Sequence, residues 1–404
     1  MIRYPYGTGK LRVREATGPT DYALRFTGHG EVMRIGIDAS PIVGDRGGVG
    51  WHTYHLLRAM VGLKEDIELV GYVGPGSLQN GVPKGWAGGG SIRWVESGKW
   101  LMPWRGSWDG LDLYHGANFK MKTTGRFGGV VTIYDLWMDH HPQYSPKLFG
   151  QRASFLRTRR TAWRARKVMT ISAFSARDIM SLYGLPLDRI AVIPCGVSDD
   201  FRPRRDPAEF GELRRRIGLP DAPFILFVGG ADPRKNHQAV VRAFAKRADE
   251  FKGCRLVLVG DPAHRFGDMP RTIAQYGMEG RVICPGRLPI GDIMRLYSHA
   301  ELFVFPSLYE GFGMPVIEAM ACGTPVVTSN RTALPEVAGD AALLVNPDDD
   351  DELAGAMVRI LRDASLRESL REKGFERAKQ FTWERAARQT LAVYKEVCGE
   401  SRDA

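Results

Sequence analysis

The stretch Leu308-Tyr309-Glu310-Gly311-Phe312-Gly313-Met314-Pro315-Val316-Ile317-Glu318-Ala319-Met320-Ala321 decides how this chain is read. Ahead of it, Leu302-Phe303-Val304-Phe305 is an unbroken apolar run, the pattern of a parallel strand buried on both faces. Behind it, Val316–Ala321 has helical composition, and Gly323 sits where a helix should stop. Pro315 suits a first helical turn, because its missing N–H would be unpaired there anyway. The order is therefore strand, glycine turn, helix. Glu310 falls in the loop at the carboxyl end of the strand, where open α/β sheets bind ligands. Glu318 is expected on the first turn of the helix, where bare N–H groups favour an anion.

The same alternation extends outward. Towards the N-terminus, strands are expected at Arg34–Asp38, Ile67–Val73, Ile92–Val95, Leu111–Tyr114, Val130–Tyr134, Val168–Ser172 and Ile190–Ile193, with helical stretches between most of them. A second series runs through Phe224–Val228, Arg255–Val259, Val282–Ile283, Leu302–Phe305, Pro325–Thr328 and Ala342–Val345. Strand–helix alternation of this kind predicts parallel, doubly wound sheets. Ser198–Pro207, rich in Asp, Pro and Arg, reads as the linker between two domains. Residues 1–32 show no period and read as a poorly ordered tail, with Met33 as an expected natural start. Asp350–Val397 reads as amphipathic helix, broken near Gly374 and Thr382.

Composition narrows the function. The chain has 404 residues, 44% hydrophobic and 25% charged, as expected for a two-domain globular protein. No apolar run approaches the roughly 20 residues of a membrane span. Arg3, Lys10, Arg12 and Arg14 are followed by no apolar stretch, so the start does not read as a secretory signal. Five scattered cysteines suggest neither a disulfide framework nor a zinc site, and a cytoplasmic location is expected. Residues 1–200 carry 26 Lys and Arg against 17 Asp and Glu, while residues 201–404 carry 30 against 29. The excess of +10 therefore sits almost wholly in the first half, which fits either an anionic partner or a solvated basic surface. Arg152, Arg157, Arg159, Arg160, Arg164, Arg166 and Lys167 share one expected helix. That segment reads as a peripheral membrane contact, an anionic-acceptor contact or a solvated face. It lacks a nucleic-acid reading motif, so nucleic acid is not an expected partner. Five of nine tryptophans lie between Trp86 and Trp108, suited to an interface or to the core.

Two further loops carry chemistry. After the first strand, Gly47-Gly48-Val49-Gly50 opens a helix with Tyr54, Leu56, Leu57 and Met60, a place for close approach to a phosphate or for a tight turn. After Phe224–Val228 comes Gly229-Gly230-Ala231-Asp232-Pro233-Arg234-Lys235-Asn236. It sets two adjacent cations at the same topological place as Glu310. An Arg fork and a Lys point charge together can hold a diphosphate. No carboxylate cluster suits an octahedral metal, so no metal is expected and cations must stabilise a leaving diphosphate.

With these motifs the chain resembles the retaining glycosyltransferases of family 4 (glycosyl transferases group 1). The resemblance runs from Arg34 to about Val397. It rests on Gly47–Gly50, Thr170–Ser175, Val192–Val197, Gly229–Asn236 and the Glu310–Glu318 pair. Within the family the chain is most similar to bacterial mannosyltransferase-like enzymes of cell-surface polysaccharide synthesis. The resemblance implies a GT-B fold: α/β, two facing Rossmann-like domains with a cleft between and a C-terminal helix crossing back. It places residues 33–199 with 383–404 in an acceptor-side domain and 200–382 in a nucleotide-sugar domain. It implies that Arg234 and Lys235 bind the donor diphosphate and Glu310 lies near the transferred sugar. Gly311, Phe312, Gly313 and Met314 would meet sugar and phosphate, Glu318 the ribose, and Gly48 with Gly50 the diphosphate from across the cleft. The implied partners are a nucleotide-sugar donor and a glycan or lipid-linked acceptor, with no further cofactor. One departure stands out. The family commonly has His-Asp-Leu where this chain has Tyr134-Asp135-Leu136. Tyrosine donates a hydrogen bond but carries no imidazolium charge. Either Tyr134 positions the sugar, or His140 or His141 approaches, or activity is altered. A sugar-nucleotide-binding protein without transfer activity and a nucleotide-sugar epimerase are the competing readings.

Overall fold

The computed structural model describes residues 32–44, 47–79, 86, 92–98, 109–121, 128–144, 151–264 and 267–400. The expected N-terminal tail, up to residue 31, lies outside the described residues, as do Trp100, Trp104 and Trp108.

Seven strands form the first sheet: β1 Met33–Asp38, β2 Ile67–Val73, β3 Ile92–Glu96, β4 Leu113–Gly116, β5 Gly128–Thr132, β6 Lys167–Thr170 and β7 Ile190–Val192. Their order is β3-β2-β1-β4-β5-β6-β7, all parallel. The second sheet takes β8 Phe224–Val228, β9 Arg255–Val259, β12 Val282–Gly286, β13 Leu302–Phe305, β14 Val326–Ser329 and β15 Ala342–Val345. A short hairpin, β10 Ala263–His264 and β11 Gly267–Asp268, sits apart from it. The six-stranded order is β12-β9-β8-β13-β14-β15, again all parallel. Both sheets reverse direction beside their first strand, at β1/β4 and at β8/β13. Those two switch points open crevices at the strands' carboxyl ends. All four β13 residues are fully buried, which is why the run is apolar without alternation.

Three local expectations need correction. The helix after the Gly311–Gly313 turn begins at Met314, so Glu318 is its fifth residue and lies beyond the first turn. Gly313 takes φ +106°, which lets the chain enter the helix two residues earlier than composition suggested. The expected C-terminal break near Thr382 is present, between helices Ala364–Ala378 and Trp383–Glu400, but the other falls at Asp363, which ends helix Asp350–Arg362 and caps Ala364–Ala378 through Leu366 N at 2.9 Å. Gly374 is mid-helix instead, where a Cβ would stand 3.3 Å from Met320 Cγ. Finally, β4 and β5 are shifted by two residues from the apolar runs. The ladder starts with Leu113 opposite Ile35, and the chain leaves it after Thr132.

The last helix, Trp383–Glu400, returns to the first sheet. Its Trp383 ring stacks on His55 of helix Gly48–Gly62 at 5.3 Å, and Tyr394 OH bonds His115 Nδ1 of β4 at 2.7 Å. The outgoing and returning chains run side by side, with Val197 bridged to Thr382. Trp86 and Trp94 meet edge to face at 5.6 Å and pack on the core.

Candidate active site

The loop after β8 and the loop after β13 are adjacent because β8 and β13 are neighbours at the switch point. Asp232 caps the turn Pro233–Lys235 by accepting from Arg234 N at 2.9 Å. Asn236, in the left-handed region at φ +57°, donates to Pro306 O and Pro347 O at 3.2 and 2.8 Å. The cationic loop is thus fixed to the loop that follows β13.

This brings Arg234, Lys235 and Glu310 together. Lys235 Nζ is 2.6 Å from Glu310 Oε1, and Arg234 Nη1 is 3.6 Å from Glu310 Oε2. Ser307 Oγ lies 2.7 Å from the same Oε1 and 2.8 Å from Arg234 O. The Glu310 side chain is 7% exposed. Burial pushes its carboxyl up, but the charges of Lys235 and Arg234, with hydrogen bonds from Lys235 and Ser307, outweigh burial and hold it below its ordinary value. Burial lowers the Lys235 ammonium, Glu310 opposes this and Arg234 adds to it, leaving a net lowering. At 2.6 Å we read the two as a charged pair at neutral pH. Arg234 Nε stands 3.7 Å from Asp232, and among the described residues this buried donor has no hydrogen-bond partner. It is a donor waiting for an acceptor.

The first domain faces this cluster through the segment after β5. Asp135 Oδ2 is 3.6 Å from Arg234 Nη1. Burial raises the Asp135 carboxyl above its usual value against the pull of Arg234. Tyr309 OH accepts from Leu136 N at 3.2 Å and donates to Asp178 Oδ2. Asp178 also meets His140 Nε2 at 2.6 Å. Glu336 accepts from Ala173 N and Phe174 N at 2.8 and 3.1 Å, capping helix Ala173–Tyr183 from the opposite domain. Ser307, Tyr309, Asp178 and Glu336 were not singled out by the sequence reading, and Asp135 entered it only within the Tyr134-Asp135-Leu136 motif, with no role of its own. Ser307 and Tyr309 flank Glu310 closely enough to have been suspected, whereas Asp178 and Glu336 carried no sequence signal.

Tyr134 occupies the family's histidine position, but its hydroxyl is spent inside the first domain. It donates to Ala117 O at 2.9 Å and sits 3.1 Å from His52 Nδ1. Burial pushes the phenol well up, and burial with His55 nearby lowers His52 to about 3, so both are neutral. The Tyr134 carbonyl accepts from Ser175 Oγ at 3.0 Å, again within the first domain, and it is also the atom that faces the second, where a Cβ on Gly311 would stand 2.5 Å from it. His141 packs against Trp137, with ring centroids 3.9 Å apart and the planes tilted by 37°. Gly48 and Gly50 open helix Gly48–Gly62 above the β1/β4 switch point, and a Cβ at Gly48 would meet nothing within 4 Å. Gly311, Phe312 and Gly313 are buried in the turn, and Met314 starts the helix.

Glu318 is half-buried, with Oε2 3.5 Å from Tyr297 OH. Burial raises its carboxyl to about 7, against the opposing pull of the Tyr297 hydrogen bond and Lys235. The folded state therefore holds this proton more tightly than the unfolded chain does. Stability from this group is full below about 4.5 and is lost as pH rises to about 7. Glu318→Gln is expected to flatten that fall, worth up to about 3 kcal/mol. Melting curves from pH 5 to pH 8 check this. A variant that tracks the native curve throughout would show that Glu318 does not titrate in that range.

Two facing doubly wound sheets, with cations and carboxylates gathered where the crevices meet, define a GT-B glycosyltransferase. The solved sucrose-phosphate synthase of Thermosynechococcus elongatus shares this fold, with a TM-score of 0.74 at 22% identity, covering 91% of this chain and 100% of that one. The chain belongs to glycosyltransferase family 4, glycosyl transferases group 1. Residues 46–201 match Glycosyltransferase Family 4, and residues 209–377 match Glycosyl transferases group 1. It is 34% identical over 308 residues to the O-antigen chain mannosyltransferase B of Escherichia coli, covering 74% of this chain and 80% of that protein. It is 31% identical over 244 residues to a serotype-specific mannosyltransferase of Escherichia coli, covering 59% of this chain and 30% of that longer protein.

Proposed function

We propose that this glycosyltransferase moves mannose from a nucleoside diphosphate sugar to a glycan or lipid-linked acceptor in the cytoplasm, with retention of configuration. The observation that carries the reading is the Lys235–Glu310–Arg234 cluster at the β8/β13 crevice, faced by Asp135 from the other domain. The donor diphosphate lies against Arg234 and Lys235, and the partnerless Arg234 Nε takes a phosphate oxygen. Glu310, released in part from Lys235, accepts from hydroxyls of the hexose. Amides of Gly311–Met314 meet sugar and phosphate, and Glu318 accepts from the ribose hydroxyls. Gly48 and Gly50 approach the diphosphate from the first domain, and the Tyr134 carbonyl, rather than its hydroxyl, borders the sugar side. Negative charge growing on the leaving diphosphate is met by two protein cations, so the reaction needs no metal. Retention follows if the acceptor oxygen attacks from the face the diphosphate leaves and a phosphate oxygen takes its proton. The mannose assignment is supported by the mannosyltransferase relatives. The domain division, 33–199 with 383–404 against 200–382, is supported by the Val197–Thr382 crossing.

The test is a thermal-shift screen of nucleoside diphosphate hexoses, followed by NMR of products formed with oligomannose and lipid-linked acceptors. Stabilisation by a mannose donor and an α-linked product are expected. Stabilisation with no transfer to any acceptor would favour a binding protein. A changed sugar without acceptor would favour an epimerase.

A further inference from the structure

Helix Gln151–Arg164 carries a face the donor chemistry does not use. Leu156 and Trp163 are 53% and 46% exposed, two of six large hydrophobic side chains that the described residues leave in water. They are seven positions apart, so at 3.6 residues per turn they point within about 20° of each other. Arg160 and Arg164 flank this pair on one side and Arg159 on the other, all exposed. The opposite face is packed, with Thr158 and Ala162 buried. The outward apolar centre is therefore not a core face left bare by chance of register.

The Trp163 ring is held in place. Its Nε1 donates to Tyr183 O at 2.9 Å, and Arg159 Nε reaches the same carbonyl at 3.2 Å. With its one polar atom satisfied, the rest of the indole offers an apolar surface. Leu187, four residues past Tyr183, adds another exposed apolar side chain at 58%. No carboxylate occurs in sequence between Asp139 and Asp178, and exposed Asp188 lies at the edge, next to Leu187. An apolar centre with guanidinium groups on both sides is the pattern of a helix lying in a membrane interface. The arginine stems can cover acyl chains while their heads reach phosphate. Tryptophan favours that boundary. A nucleic acid would match the charge but not the exposed Leu156, Trp163 and Leu187. No described helix is long and apolar enough to cross a membrane, so contact of this kind would be peripheral.

We propose that this face seats the protein on an anionic lipid bilayer, with Leu156 and Trp163 entering the headgroup boundary and Arg159, Arg160 and Arg164 pairing with lipid phosphates. The surface involves none of the donor-site residues, so it can fail while the transfer reading stands, and the reverse.

The full chain is sedimented with vesicles of phosphatidylcholine alone and of phosphatidylcholine mixed with phosphatidylglycerol. It is expected to partition onto the mixed vesicles and not the neutral ones, with the partitioning weakening as salt rises. A basic residue near such a surface contributes about fivefold, so Arg160→Gln with Arg164→Gln should lower partitioning about 25-fold. Trp163→Ala should lower it several-fold. Leu156→Ser, at a fully outward position, should do the same and serves if loss of Trp163 unfolds the helix. Melting temperature and donor-induced stabilisation should stay native in the arginine and Leu156 variants. No sedimentation with anionic vesicles, equal binding to neutral ones, or native partitioning of the variants would each overturn the proposal. So would binding of duplex DNA, without vesicle binding, through the same arginines.

Discussion

Glu310→Gln is expected to lower transfer by about 10²–10³-fold, the scale of losing one charge-positioning group at a reacting centre. The side chain is isosteric and can keep its contact with Ser307, so the loop after β13 retains its path. What disappears is the charge that Lys235 meets at 2.6 Å and Arg234 at 3.6 Å. Two cations are then left close together in a site where they are only 17% and 20% exposed. Removing one partner of a buried pair costs about 3–5 kcal/mol, so the melting temperature should fall as well. The donor brings negative charge to the same place. Its diphosphate should therefore raise the melting temperature of Glu310→Gln by more than that of the native protein. Lys235→Ala should behave the opposite way: transfer is lost on the same scale, and the donor stabilises less than in the native chain. Thermal shift with and without donor, alongside turnover, separates the two. Native turnover in either variant would remove the cluster from the reaction.

Reading the sequence reached this cluster because its parts are local signals. An apolar strand, a glycine turn and a charged residue at a strand's carboxyl end are all written within a dozen positions. The doubly wound sheets were legible for the same reason, since buried parallel strands are continuous apolar runs. The boundaries that failed depend on long-range pairing. β4 starts where Leu113 meets Ile35, which no local pattern announces. The turn count that misplaced Glu318 hung on Gly313 and its φ of +106°, a conformation rather than a composition. Tyr134 shows the sharpest limit. The sequence revealed a departure from the family, but not that the hydroxyl turns inward to Ala117 O and His52. Contacts across the cleft, such as Glu336 on the end of helix Ala173–Tyr183, join residues 162 and 163 positions apart and leave no trace in spacing.

Gly311→Ala is expected to separate closure from binding. Gly311 lies on the donor side of the cleft, yet a Cβ there would stand 2.5 Å from Tyr134 O and 2.9 Å from Asp135 Cβ, across the domain boundary. The nearer neighbour is backbone, so no rotamer change relieves the clash. The two loops must part by about 1 Å, and such a misplacement can cost about 10² in rate. Gly311 has no left-handed φ, so the methyl group strains nothing within its own turn. The contacts that must lengthen are mainly polar: Ser175 with Gly311 O, Tyr309 with Asp178 and Leu136, and Glu336 with Ala173 and Phe174, beside the packing of the Tyr309 ring on Phe174 and Trp137. Water can replace the polar ones at an opened boundary and the ring contacts loosen without breaking, so stability should fall by about 1–2 kcal/mol. Arg234 and Lys235, in the turn after β8, and Glu318, in helix Met314–Ala321, all belong to the second domain and keep their mutual placement, so the donor should bind within a few-fold of its native affinity. The expected signature is a fall in kcat with little change in the Kd for donor, together with a larger radius of gyration of the donor complex in solution scattering. Glu310→Gln should leave that radius native, because it removes charge and adds no bulk at the boundary. If Gly311→Ala turns over at the native rate, the closed arrangement around Tyr134 and Asp135 is not the one in which sugar is transferred.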